Sequence, residues 1–166
     1  MSVTDPVSSD RQIVRLLQMG IVLEEVVEAR ASKHYESLTS REDYEPDPAI
    51  QALLEEAGTE SAEHRERLEA LIDELGAETV AFDRIQTLVE ERYSQPDPDA
   101  FDDILYDQLH GEESAYKFYD DLIAAIEASD AAFSIDRDRL LDTLEAIREE
   151  EAEGVREVTA LMSEER

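Results

Sequence analysis

The sequence predicts an all-α protein, a four-helix bundle of two helical hairpins joined by a long crossover that contains a short helix. Three observations lead there. Apolar residues recur at alternating steps of three and four along four long segments, the period of a helix face. Turns containing Pro and Gly divide those segments into pairs. A spacing in the first segment, Glu28, Ala31 and Tyr35 in Glu-x-x-Ala-x-x-x-Tyr, returns in the third as Glu112, Ala115 and Tyr119.

Residues 1–9 are polar and read as a flexible N-terminus, with Ser8, Ser9 or Asp10 as candidate N-caps. Residues 10–163 form the single predicted domain, and residues 164–166 are a tail. The first helix is expected from about Asp10 to Ser40, with an apolar seam at Leu17, Ile21, Glu24, Glu28, Ala31, Tyr35 and Leu38. After the turn Arg41 to Asp47, a second helix is expected from Pro48 to Leu75. Proline suits its first turn, and Gly76 suits the residue that ends it. Its seam is Leu54, Ala57, Ser61, His64, Leu68, Leu71 and Leu75, and Gly58 is a potential kink.

Residues 77–98 are too long for a hairpin turn and hold one short amphipathic helix, roughly Val80 to Tyr93. Such a crossover lets the second pair enter in an order other than simple up-and-down. The third helix is expected from about Asp99 to Ala128, with the seam Leu105, Glu112, Ala115, Tyr119, Leu122 and Ile126. The fourth runs from Ile135 to about Ser163, capped by Ser134 or Asp136. Its seam is Leu140, Leu144, Ile147, Glu151, Gly154, Val158 and Leu161.

The hairpins place polar positions level with one another. Glu28 lies as far before the turn at Arg41 as Ser61 lies beyond Pro48, and Glu112 precedes Ala128 by as many residues as Glu151 follows Ile135. At a constant rise per residue, equal spans from a short turn mean equal height. Stacking the seams brings Glu28, His64, Glu112 and Glu151 into one layer. Glu24 lies one turn away and reads as an ion-pair partner or the edge of the seam. A carboxylate facing a bundle core costs several kcal/mol unless it is paired or binds metal.

Composition narrows the chemistry. The chain has no cysteine, which excludes disulfides, thiolate catalysis, iron–sulfur clusters and cysteine zinc sites. Any metal must be held by Glu, Asp and His, donors that suit iron, manganese or zinc. With 44 acidic residues against 15 basic ones the formal charge is −29, a field that repels nucleic acid and anionic membrane. No apolar run approaches the roughly 20 residues of a membrane span, and the start lacks the regions of a signal peptide. A cytoplasmic location is expected. Most of the carboxylates read as a solvated surface, as do His34 and His110. Tyr35 and Tyr119 read as core rings whose hydroxyls need partners.

With a Glu on each first helix of a hairpin and Glu-x-x-His sought on each second one, the chain resembles the ferritin-like superfamily, most closely its rubrerythrin-like branch. The resemblance covers residues 10 to 163. It implies a carboxylate-bridged site for one or two iron or manganese ions, ligated by Glu28, His64, Glu112 and Glu151, with Tyr35 and Tyr119 as hydrogen-bond donors behind the ligands. The bridging glutamate of the first Glu-x-x-His falls on Ser61, and the histidine of the second falls on Gly154. Glu60 or Glu63, and Glu150 or Glu153, are the candidate replacements. The resemblance further implies di-iron-type oxidoreductase activity, ferroxidase or peroxidase-like, on oxygen or peroxide. It also implies a homodimer, with an external electron donor because the chain has no cysteines for a metal domain of its own. The alternative is a metal-free, non-enzymatic bundle serving as an interaction or assembly module. The acidic, lysine-poor composition is similar to that of haloarchaeal cytosolic proteins.

Overall fold

The structure, a computed structural model, describes residues 7–40, 45–92 and 104–164. Five helices follow one another: α1 Asp10–Thr39, α2 Pro48–Leu75, α3 Phe82–Arg92, α4 Ile104–Glu127 and α5 Arg137–Glu164. The first turn before residue 45, the SQPDP stretch and the expected start of the third helix at Asp99 lie outside the described residues.

Local chemistry sets the helix ends. Ser9 is extended and its hydroxyl accepts the Gln12 N–H at 3.3 Å, which starts α1. Asp47 accepts the Ala49 N–H at 2.9 Å ahead of Pro48. Gly76 closes α2 in the left-handed region at φ 65°, with its N–H on the Ile72 carbonyl. Gly58 leaves α2 unbroken, and a methyl group there would meet nothing within 4 Å. Asp136 accepts the Asp138 N–H at the start of α5. Between α4 and α5, the Arg137 guanidinium donates to the carbonyls of Ile126, Ser129 and Ala131, tying the turn to the end of α4.

The most extensive packing joins α1 to α2 and α4 to α5, while α1 also meets α4 and α2 meets α5. Contacts between ends give the directions. Val7 bonds Ala125 and Arg139 bonds Glu74, so the start of α1 lies at the end of α4 and the end of α2 at the start of α5. Both pairs are therefore antiparallel, and α2 and α4 point the same way. The link between them must climb the bundle, roughly 36 Å for a helix the length of α4, and α3 makes part of that climb packed along α1. This is the ferritin-like four-helix-bundle topology.

Buried seams on α2, α4 and α5 follow the expected positions, apart from a half-buried Leu161. The α1 seam differs. Its buried stripe runs through Leu17, Gly20, Glu24, Val27, Ala31, His34 and Leu38, sharing every second position with the predicted stripe but replacing Ile21, Glu28 and Tyr35. The cause is the pairing with α4: at Gly20 a Cβ would lie 3.0 Å from both Leu68 and the Phe118 ring, so the bare backbone faces inward where those side chains need room. One consequence corrects the reading of His34 as a surface residue. It is buried, with Nε2 2.6 Å from Asp107, whose carboxylate also bonds Arg30. Burial raises the Asp107 carboxyl, but the hydrogen bonds and charges of Arg30 and His34 outweigh it and hold it below its usual value.

Candidate metal centre

At mid-height the apolar core gives way to a polar layer. Glu24 from α1, His64 from α2, Glu112 and Tyr119 from α4 and Glu151 from α5 are each less than a tenth exposed. The layer lies between the large cluster around Leu68, Phe118 and Ile147 and smaller clusters around Leu54 and Val158. Water is thereby kept from both ends.

His64 is the hub. Its Nδ1 lies 3.2 Å from Glu24 Oε1 and 3.1 Å from Glu151 Oε1, and Nε2 lies 3.8 Å from Glu60 and 3.7 Å from Glu150. The Tyr119 hydroxyl donates to Glu24 Oε1 at 2.8 Å, and Gln108 donates to Glu112 Oε1 at 2.9 Å. Arg67 clasps Glu150 with two hydrogen bonds and draws it to the rim. Three atoms are the telling ones: Glu24 Oε2, Glu112 Oε2 and His64 Nε2 are buried without a hydrogen-bond partner. Buried donors and acceptors are seldom left so.

Two triads of donors can be drawn. Glu24, His64 and Glu151 each place a donor atom within 4.8 Å of the others, and so do Glu60, Glu112 and Glu151. Glu151 belongs to both. A carboxylate shared by two neighbouring triads is how paired metal ions are bridged in helical bundles. An orphaned imidazole nitrogen and orphaned carboxylate oxygens are donors of the kind that hold iron or manganese, so the residues present fit such ions.

The titration behaviour matches a cluster crowded with carboxylates. Burial raises Glu24, but the hydrogen bond and charge of His64, with hydrogen bonds from Glu151 and Tyr119, outweigh it and hold Glu24 low. Burial would lower His64, yet the bond and charge of Glu24 and the charges of Glu60 and Glu150 raise it. Glu151 is pushed well above the carboxylate range by burial and then by Glu24 and Glu112, and burial also raises Glu112. Glu60 is pushed up to about 7, by burial first and then by Glu112. An acid raised in the folded state adds stability below its unfolded value, and that stability is lost as pH rises through the folded value. The chelator-treated protein is therefore expected to lose stability as pH rises from about 4.5 through about 7, the Glu60 window, and further as Glu112 and Glu151 ionise. Urea midpoints measured across pH 5 to 8 check this; a flat profile would contradict it.

Of the residues singled out in the sequence, the structure brings His64, Glu112 and Glu151 together and leaves Glu28 outside. Glu28 is about a third exposed and pairs with Arg65 on the flank of α2. Glu24 stands in the layer instead, so it is no frayed edge of the seam. Tyr119 reaches the centre, whereas Tyr35 sits about two helix turns beyond Glu28 and its hydroxyl pairs with Glu55, whose hydrogen bond and charge raise the tyrosine above its ordinary pKa. Glu60 faces the layer, while Glu63 and Glu153 are exposed. Gln108 was not singled out; its place one turn before Glu112 on the buried face was the available signal. At Gly154, where the resemblance seeks a histidine, a Cβ would stand 2.5 Å from Glu112 Oε2. The missing side chain is the room that the Glu112 carboxylate fills. No protein-family model matches the chain, and neither curated proteins nor solved structures yield a match.

Proposed function

We propose that this protein binds one or two iron or manganese ions in the bundle core and uses them in oxidoreductase chemistry on oxygen or peroxide. The observation that carries the proposal is the sharing of Glu151 between a buried triad with Glu24 and His64 and a second triad that runs through Glu112 to the half-buried Glu60, with Glu24 Oε2, His64 Nε2 and Glu112 Oε2 left without hydrogen-bond partners. Isolated buried carboxylates cost several kcal/mol, and positive ions compensate several of them at once.

Glu24, His64 and Glu151 would hold one ion, and Glu60, Glu112 and Glu151 the other. Bound iron or manganese would supply a redox centre able to exchange electrons with a small oxidant. The chain's own part is preorganisation. Tyr119 fixes Glu24 through Oε1 and leaves Oε2 free to ligate, and Gln108 does the same for Glu112. The leucine and phenylalanine layers exclude bulk water. Electrons would come from an external donor, and a cytoplasmic homodimer is the working assembly. Among the described residues no helix is long and apolar enough to cross a membrane.

The metal-free module remains the competing reading. It draws on the His64–Glu24–Tyr119 hydrogen bonds, which satisfy part of the cluster without any ion. Metal content decides. Protein loaded with Fe(II) under anaerobic conditions, or with Mn(II), is expected to keep close to two ions per chain through gel filtration. Glu112→Ala should retain about one, and Glu28→Ala should match the parent. Retention unaffected by Glu112→Ala would remove the site as drawn, and no retained metal in the parent would favour the module.

A further inference from the structure

We propose that a groove between the first half of α1 and the start of α3 is an oxyanion site that takes the phosphate group of a small ligand. The groove has a volume of about 600 Å³ and is lined by Arg11, Arg15 and Arg84, with Glu78 at its margin and Val80 and Leu88 among its apolar walls. Three guanidiniums against one carboxylate leave two positive charges there, in a chain whose formal charge is −29.

That concentration runs against the surrounding field. Arg65, Arg67, Arg139, Arg148 and Arg156 each bond a carboxylate. Among the described residues, Arg11, Arg15 and Arg84 bond none. Where acidic groups outnumber basic ones 44 to 15, Coulomb attraction should have found partners for them. Arg11 and Arg15 also stand one turn apart on the same helix face, where like charges repel. Both features are costs to the folded chain, and an anion held between the three side chains relieves both.

The walls are built rather than incidental. The Gln18 side-chain amide brackets Val80, donating to its carbonyl at 2.8 Å and accepting its N–H at 3.0 Å, which pins the link from α2 to α3 against α1. Ile85 and Val89 are buried on the inner face of α3, so Arg84 is held outward on the groove side. The chain thus fixes an arginine from α3 opposite a pair from α1.

The ligand class follows from this chemistry. Guanidinium forks match phosphate oxygens two at a time, and a phosphomonoester carries about −1.5 to −2 at neutral pH, close to the local excess. The volume lies within the range of about 300–1,000 Å³ that accommodates small organic ligands, and Val80 and Leu88 offer a surface for an organic part. A nucleic-acid strand is disfavoured because its charge would extend past the groove onto acidic surface. The groove is separate from the carboxylate centre, since Arg15 and Glu24 stand about 14 Å apart along α1. It does not depend on whether metal binds there.

Calorimetric titration of the chelator-treated, intact chain at one fixed ionic strength tests the site, with inorganic phosphate, pyrophosphate and adenosine diphosphate as probes. Saturable one-to-one binding of at least one probe is expected. Arg15→Gln and Arg84→Gln should each weaken it tenfold or more, and Arg139→Gln should leave it unchanged, with thermal unfolding confirming that all variants are folded. Tighter binding of the nucleotide than of pyrophosphate would assign an organic phosphate, and equal affinity would assign free phosphate; either supports the site. No saturable binding of any probe, or binding unchanged when Arg15→Gln and Arg84→Gln are combined, overturns it.

Discussion

Replacing His64→Ala is expected to destabilise the chelator-treated protein by about 3–5 kcal/mol at pH 7, the range for removing one partner of a buried ion pair. Glu24 is fully buried, and its Oε1 is held by the Tyr119 hydroxyl and by His64. Without the imidazole, a carboxylate stays in an apolar bundle with only the neutral donors of Tyr119 and Glu151. Glu24 is held low by His64, so the stability it contributes is present above pH 4.5 and is lost as pH falls through its folded value. His64 is raised, so its contribution is full below pH 6.5 and is lost as pH rises through its folded value. The pair therefore contributes most between those limits. The penalty for His64→Ala should shrink as pH falls below the ordinary carboxylate range and through the lowered folded value of Glu24, where that carboxylate takes up its proton. Urea unfolding of parent and variant at pH 7 and at successively lower pH measures this. A difference below about 1 kcal/mol at pH 7 would mean that the buried charge is held some other way.

The same pair shows where sequence reasoning reaches and where it stops. Helix period and turn chemistry were sufficient for both hairpins, for the crossover, and for the heights that bring His64, Glu112 and Glu151 together, because rise per residue is a constant of the backbone. They were insufficient for the rotation of α1. The two candidate stripes share Leu17, Glu24, Ala31 and Leu38, and differ by one residue between them. Glutamate in the duplicated motif favoured Glu28, while the apolar Val27 beside it pointed the other way and was the better guide. The deciding contact was Gly20 against Phe118, which belongs to a different hairpin. Gly154 carries a related lesson. In sequence it reads as a lost ligand, yet the space it leaves is taken by a carboxylate reaching across from α4, and no periodicity encodes that reach.

Glu151→Gln should separate function from stability most clearly. The substitution keeps the shape and volume of the side chain but removes the charge that both triads share. Metal affinity is expected to fall at both positions, by more than the roughly 10–100-fold typical of losing a partner behind a ligand. Glu112→Ala should cost one position alone. Without metal the sign reverses. Burial and the neighbouring Glu24 and Glu112 charges hold the Glu151 carboxyl far above its ordinary value, so its ionisation opposes folding as pH rises. The glutamine cannot ionise, and its amide still offers hydrogens to the Glu24 and Glu112 oxygens. Metal-free Glu151→Gln protein is therefore expected to be more stable than the parent at pH 8 by about 1–3 kcal/mol, the scale of relieving a buried uncompensated polar group. At pH 5, where the parent carboxyl is protonated, the two should nearly coincide. A variant that binds metal like the parent would remove Glu151 from the bridge. A variant less stable than the parent at pH 8 would show that the carboxylates of this layer are compensated within the protein, leaving metal little electrostatic work to do.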